Sequence, residues 1–229
     1  GGYLNQDWLV DGINYKRYSH SGKINSQINK FLQVGFNTNY SYGIQNTGSL
    51  ETLRSAYRAR PTGTVYYDDL LDPSESNDVD FHGYAVWMGV KDNQVLNPLV
   101  EGYPGNDLTT HYLSRLSALA YVEIAPVKGL TIRSSLGSNI YGTQDGDYRG
   151  TYTKSNNGSK LPTATHDTKS QLSYTLDNLL TYDLKKGQHH FNLTALQSAF
   201  KRRDEVYSIS VKDLPYESEW YNLGTAGTI

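Results

Sequence analysis

Leu32-Gln33-Val34-Gly35-Phe36-Asn37-Thr38-Asn39-Tyr40-Ser41-Tyr42 alternates without a break. Successive side chains of an extended strand point to opposite faces. Leu32, Val34, Phe36, Thr38, Tyr40 and Tyr42 therefore share one face, and Gln33, Gly35, Asn37, Asn39 and Ser41 share the other. The run also matches the roughly 9 to 11 residues that a tilted strand needs to cross a bilayer.

Working outward, a tight turn precedes this strand at Ile28-Asn29-Lys30-Phe31, and similar turns recur at Pro126-Val127-Lys128-Gly129 and Leu184-Lys185-Lys186-Gly187. Between them lie long connections, from about Gly43 to His111, from about Gly142 to Thr168, and onward from about Arg202. Short turns at one rim and long loops at the other are the layout of an outer-membrane β-barrel.

The other strands follow from the same alternation. One runs from Gly2 to Val10 and closes at Asp11-Gly12, and a second runs from about Lys16 to Asn29 with Ile24, Ser26 and Ile28 on one face. A fourth, from about Tyr112 to Ala125, sets Leu116, Ala118, Ala120, Val122 and Ile124 against Arg115, Ser117, Tyr121 and Glu123. In the fifth, Leu130, Ile132, Leu136 and Ile140 oppose Thr131, Arg133, Ser135 and Asn139. The sixth spans about Lys169 to Asp183 and the seventh about His189 to Phe200. Tyr40, Tyr42 and Tyr141 at the long-loop side, with Phe31 and Tyr182 at the tight-turn side, read as aromatic girdles.

The fold class expected is thus all-β, with antiparallel up-and-down strands forming part of a transmembrane barrel. On this reading Asn37, Asn39, Arg133 and Asn139 face the lumen, while Val34, Phe36, Ile132 and Leu136 face lipid. A secreted or surface β-sandwich that binds carbohydrate is the alternative, because core and water would impose the same alternation.

Composition sets further bounds. The 229 residues are 37% hydrophobic and 19% charged, with a mean hydropathy of -0.60. No apolar run approaches the roughly 18 residues of a membrane helix. Tyr is abundant at 20 residues, as suits strands. Cys is absent, which rules out disulfides and thiolate metal sites. A formal net charge of -2 argues against a nucleic-acid partner. The chain opens on Gly1-Gly2 inside a strand, as expected of a piece cut from a longer protein.

The first long loop, about residues 43–111, has its own signals. Ser49 can cap a helix near residues 50–60 in which Leu50, Leu53 and Tyr57 repeat at helical spacing before Pro61. Asn97-Pro98 and Pro104-Gly105 read as punctuation. Tyr66, Tyr67, Tyr84, Trp87 and Tyr103 suit packing of the loop on itself, contact with a partner protein, or stacking on a ligand.

No constellation for catalysis, cofactor binding or metal ligation emerges. His189 and His190 point to opposite faces. Asp68, Asp69, Asp72, Asp78 and Asp80 lack calcium-loop spacing and read as a solvated acidic stretch. Asp145-Gly146-Asp147 reads as a turn. Asn39-Tyr40-Ser41, Asn157-Gly158-Ser159 and Asn192-Leu193-Thr194 match the glycosylation sequon by chance.

Several short stretches resemble the SusC/RagA family of TonB-dependent outer-membrane transporters: Tyr3-Leu4-Asn5-Gln6, Tyr15-Lys16-Arg17-Tyr18 with Ile24-Asn25, Lys128 to Arg133, Asp177 to Tyr182, and His189-His190. Together they cover nearly the whole chain. It departs from the family pattern at Trp8-Leu9 and Ala195-Leu196-Gln197, where a Gly is usual. The resemblance implies that residues 1–229 are early barrel wall, with a plug domain upstream and a complete barrel of roughly 22 strands. It further implies import of glycan or peptide oligomers across the outer membrane, energy from the TonB complex through an upstream region, and a SusD-like surface lipoprotein as lid.

Overall fold

The computed structural model describes residues 1–70, 79–87, 95–156 and 161–228. Seven strands form one antiparallel sheet in sequence order: β1 (Gly2–Asp7), β2 (Asn14–Gln27), β3 (Leu32–Thr47), β6 (Asp107–Val127), β7 (Leu130–Arg149), β8 (Thr163–Lys186) and β9 (His189–Val211). The first loop carries helix α1 (Glu51–Arg58), the hairpin β4 (Val79–Phe81) and β5 (Tyr84–Val86), and helix α2 (Pro98–Glu101). The all-β, up-and-down antiparallel class expected from the alternation is what the chain adopts.

Tight turns lie where the sequence placed them, between β2 and β3, β6 and β7, and β8 and β9. Gly129 and Gly187 take positive φ there, 86° and 59°. The opposite rim holds the described residues of 8–13, 48–106, 150–162 and 212–228. All the long connections therefore lie at one end of the sheet.

The strands outrun their sequence-based limits on that side. β3 continues to Thr47, β6 begins at Asp107, β7 ends at Arg149, β8 begins at Thr163 and β9 ends at Val211. The first loop is accordingly 48–106 rather than 43–111. The row Tyr40–Leu116–Ile140–Leu172 is the last apolar one before a polar stretch, and apolar residues return at Leu108–Tyr148–Ala164–Val211 under the loop rim. Between the two rows both faces carry polar groups, as in the row Asn46–Thr110–Gly146–His166. The backbone ladder persists without the apolar half of the period, so alternation no longer marks it.

Two readings are corrected by that extension. Asp145-Gly146-Asp147 lies within β7, because each Asp has a cross-strand donor: His111 Nδ1 at 2.8 Å from Asp145, and Thr109 Oγ1 at 2.5 Å from Asp147. Tyr141 follows Ile140 and so points to the polar face, leaving Tyr40, Tyr42 and Tyr182 on the apolar one. Tyr18 and Tyr174 join these through the registers Tyr18–Tyr42 and Ser138–Tyr174.

Neither sheet face is covered by a second layer among the described residues. Ile24 (66% exposed), Leu136 (50%) and Leu193 (62%) stand open on the apolar side. A sandwich would bury these residues against another sheet. The buried clusters lie at the loop rim instead. Tyr148, Ala164, Val211, Leu214 and Trp220 form one, and Phe81, Val86, Leu96 and Val100 form the other.

Glycine lets aromatic rings lie flat on the strands at two places. A Cβ on Gly35 would sit 2.1 Å from Tyr121 Cε1, and one on Gly146 would sit 2.1 Å from Trp220 Cδ2. Overpacking of this kind costs about 1–3 kcal/mol. Gly35→Ala in the full-length protein is expected to lower the midpoint of thermal unfolding, and Tyr121→Ala is expected to abolish most of that penalty. A thermal double-mutant cycle reads the coupling directly.

Candidate functional site: the polar face and its loop rim

Asn37, Asn39, Arg133 and Asn139 share one face. Asn39, Ser117, Asn139 and Ser173 form a continuous cross-strand row, and Asn37 lies in the next row beside Leu119 and Gly137. Arg133 lies nearer the tight turns, in the row Gln33–Glu123–Arg133.

Arg133 is held in a small network. Its guanidinium lies 4.0 Å from the Tyr121 ring centroid, and Nη1 is 3.9 Å from Glu123 Oε2. The Tyr121 hydroxyl accepts from Gln33 Nε2 at 3.1 Å and donates to Asn25 Oδ1 at 3.2 Å. Gly35 makes room for this ring, so a single glycine lets polar groups from β2, β3, β6 and β7 meet.

The apolar face is not uniform. Ser134 Oγ donates to Asn178 Oδ1 at 2.7 Å, and Asn178 Nδ2 donates to Gln197 Oε1 at 3.2 Å. These side chains satisfy one another across three strands. Along β9 the apolar side changes: Phe191, Leu193 and Ala195 share a face, whereas Leu196 and Phe200 point the other way.

At the loop rim, Ser49 Oγ accepts from Glu51 N–H at 3.2 Å and so serves the start of α1. The helix turns Ser55 inward and leaves Leu50 (83%), Leu53 (52%) and Tyr57 (93%) exposed, so its apolar repeat is not a core stripe. Asn97-Pro98 starts α2: the Asn97 side chain accepts from Leu99 N–H at 3.1 Å, and Pro fills the first helical turn. That Asn-Pro pair was the available signal for a short helix. The β4–β5 turn at His82-Gly83, with φ of 53° and 85°, follows hairpin turn chemistry and went unread in the sequence.

Of the five loop aromatics, Tyr84 and Tyr103 pack against the cluster of Phe81, Val86, Leu96 and Val100. Tyr103 also stacks on His82 at 4.6 Å. Tyr66 stacks on Tyr84 at 5.6 Å yet stays 52% exposed. Trp87 donates its indole N–H to Thr64 O at 2.7 Å, and Tyr67 opens a short 3-10 turn. Asp68, Asp69 and Asp80 are exposed, while Asp72, Asp78 and Asn157-Gly158-Ser159 lie outside the described residues. His190 pairs with Asp183 at 2.8 Å, and His189 lies beside Phe191.

Sequence reasoning missed Glu101, which is 1% exposed. It accepts from Ser49 Oγ at 2.5 Å and from Lys154 N–H at 2.7 Å, so it pins the start of the first long loop to the second. Asn106 reinforces the same joint through Val100 O at 2.8 Å and Tyr152 O at 3.2 Å. His82 Nε2 reaches Glu217 Oε2 at 3.2 Å, joining the first loop to residues 212–228. Burial pushes the Glu101 carboxyl above its ordinary range, and the bonds from Ser49 and Lys154 pull it back only in part.

The chain was compared with known proteins. No family model matches it, and no curated protein matches it. Solved structures do. A chain of the RagAB peptide transporter superposes with a TM-score of 0.63 at 20% identity, over 95% of this chain and 24% of that one. The RagAB peptide importer in its "closed-closed" state gives 0.65 at 20% identity, over 99% and 25%. Its "open-open" state gives 0.63 at 20%, over 99% and 24%. The fold of this chain is that of a stretch of those transporter chains. It spans about a quarter of their length.

Because the folded pKa of Glu101 lies above its unfolded value, the associated stability is complete below the unfolded pKa and is lost as pH rises through the folded one. Hydrogen-exchange protection of the Val100 and Lys154 amides in the full-length protein should be greater at about pH 5 than at about pH 8. Glu101→Gln should flatten that dependence, since its amide can still serve both partners. Glu101→Ala should reduce protection at either pH, leaving buried donors unmet at about 1–3 kcal/mol.

Proposed function

We propose that residues 1–229 form part of the wall of an outer-membrane β-barrel transporter related to the SusC/RagA family. The observation that carries this reading is one unbroken up-and-down sheet with all its long connections at one rim and an apolar face left open. In lipid every backbone group must be satisfied within the protein, and a sheet meets that demand only by closing on itself. Strands from the remainder of such a protein would pair with the free edges of β1 and β9.

In that setting the apolar face, with Val34, Phe36, Ile132 and Leu136, meets lipid, while Asn37, Asn39, Arg133 and Asn139 line the lumen. The loop rim lies outside the cell. Residues 48–106 are the long extracellular loop, where exposed Tyr66, Leu50 and the α1 residues Leu53 and Tyr57 are available to a SusD-like lipoprotein. A plug domain upstream would engage the TonB complex, and the cargo would be an oligosaccharide or peptide. The chain acts by binding and conduction, with no catalytic step and no cofactor. The similarity to RagAB chains supports the transporter reading.

Spin labels placed in turn at Phe36 and Asn37 of the full-length protein, reconstituted in bilayers, test the orientation. Phe36 should be accessible to oxygen and Asn37 to a water-soluble relaxant. Equal accessibility at the two adjacent positions would rule out a wall with one lipid face and one lumen face. A lipid-facing Arg near the midplane costs about 2–4 kcal/mol. Phe36→Arg should therefore impair heat-modifiable barrel assembly while Asn37→Arg leaves it intact.

A further inference from the structure

The charged residues Lys201-Arg202-Arg203-Asp204-Glu205 follow one another on β9, and strand parity sorts them between the two faces. Arg202 and Asp204 stand on the polar face, opposite Ser173 and Gln171. They close on each other, with Arg202 Nε 2.7 Å and Nη2 3.0 Å from the Asp204 carboxylate. Lys201, Arg203 and Glu205 stand on the apolar face, opposite Tyr174, Leu172 and Ser170. Arg203 gives Nη2 to Glu205 Oε1, which leaves its Nε and Nη1 outside that pair. Among the described residues no carboxylate pairs with Lys201.

Their height on the wall matters. Arg203 extends the row Tyr40–Leu116–Ile140–Leu172, so it marks the upper margin of the apolar band. From Phe191 to Lys201 the strand advances about 33 Å, roughly 23 Å of height at a tilt of about 45°, close to the band of about 25 Å that meets lipid in an outer-membrane barrel. Both cations therefore stand at headgroup level on the loop side, where the cost of a lipid-facing charge falls away. A strand added at the free edge of β9 would use backbone groups and leave these outward side chains in place.

Tyr174 (40% exposed) and Leu172 (41%) lie beside the cations, and Leu176 and Ala199 form the row below Lys201. Acyl chains laid on this surface bring a headgroup up to Lys201 and Arg203. A phosphate suits the pair, because the Arg fork takes two of its oxygens and the Lys ammonium, a compact point charge, takes a third. Same-face neighbours on a strand are about 7 Å apart, so the two cations repel each other and Glu205 offsets only one of them. We propose that Lys201 and Arg203 bind the phosphate of an outer-leaflet lipid whose acyl chains lie on Leu172, Tyr174, Leu176 and Ala199. The inference rests on the transporter reading, which places this face in lipid and the loop rim outside the cell, and goes beyond it in assigning a lipid site away from the lumen.

The test is native mass spectrometry of the full-length protein in detergent with dioleoyl phosphatidic acid, with dioleoylglycerol, which lacks the phosphate, and with dioleoyl phosphatidylcholine, whose choline cancels its charge. Phosphatidic acid should bind about tenfold more tightly than either, and inorganic phosphate in excess should not displace it. Lys201→Gln should weaken that binding by about tenfold, the loss of one charge-assisted bond. Arg203→Lys, which keeps the charge and loses the fork, should weaken it by a smaller factor. Arg202→Gln removes a cation from the same strand but the opposite face, and should leave it unchanged. Heat-modifiable gel mobility identifies the variants that assemble. If Lys201→Gln does not, Lys201→Met and Arg203→Lys carry the test beside the lipid comparison. Equal retention of the three lipids would mean that the two side chains only reach up to water. That result, displacement by inorganic phosphate, undiminished binding in assembled Lys201 variants, or an equal loss in Arg202→Gln would overturn the proposal. An assembled outer-membrane barrel with no preference for phosphatidic acid ends the lipid site alone, whereas a protein that does not fractionate with outer membranes ends the transporter reading, whatever it binds.

Discussion

The backbone ladder is the constraint on which all else depends. Across β2, β3, β6, β7, β8 and β9 the pairing is continuous, with a shift only between Ile124 and Val127 beside a tight turn. A slip of one residue at any strand would carry its whole apolar set to the opposite face. The tight turns guard against this, because their shortness leaves each hairpin little freedom of register. Positive φ at Gly129 and Gly187 is the local condition for those reversals.

Much of this was legible because lipid or core on one side and polar surroundings on the other impose a period of two. From Leu32 to Tyr42 every residue obeys it, and the face shared by Asn37, Asn39, Arg133 and Asn139 follows from parity alone. Legibility stops at the row of Tyr40, Leu116, Ile140 and Leu172. Above it Asp145 and Asp147 look like turn residues in sequence, since their partners His111 and Thr109 lie more than 30 positions away. Glu101 was opaque for the same reason. Its meaning comes from Ser49 and Lys154, which the chain brings together only once the sheet has aligned its loops.

The loop rim behaves as one joined body and not as separate loops. Glu101 ties the first long loop to the second, His82 and Glu217 tie the first to the third, and Trp220 seats the third on β7 over Gly146. Buried polar joints of this sort cost much when half satisfied. A substitution at Glu101 should therefore be felt at residues 150–156 as well as in its own loop.

The length of the strands has its own consequence. Residues 107–115, 141–149 and 163–171 continue the sheet past the row of Tyr40, Leu116, Ile140 and Leu172, which is about 30 Å of strand at roughly 3.3 Å per residue. With the apolar band seated in a bilayer and strands tilted by about 45°, the sheet rises roughly 20 Å clear of the hydrocarbon before the loops begin. A protein tethered to the outer leaflet by a lipid would need a leash of at least six or so extended residues, at about 3.3–3.6 Å each, merely to reach the loops. In the proposed barrel the height of the wall would then act as a ruler for the anchor of any such surface protein.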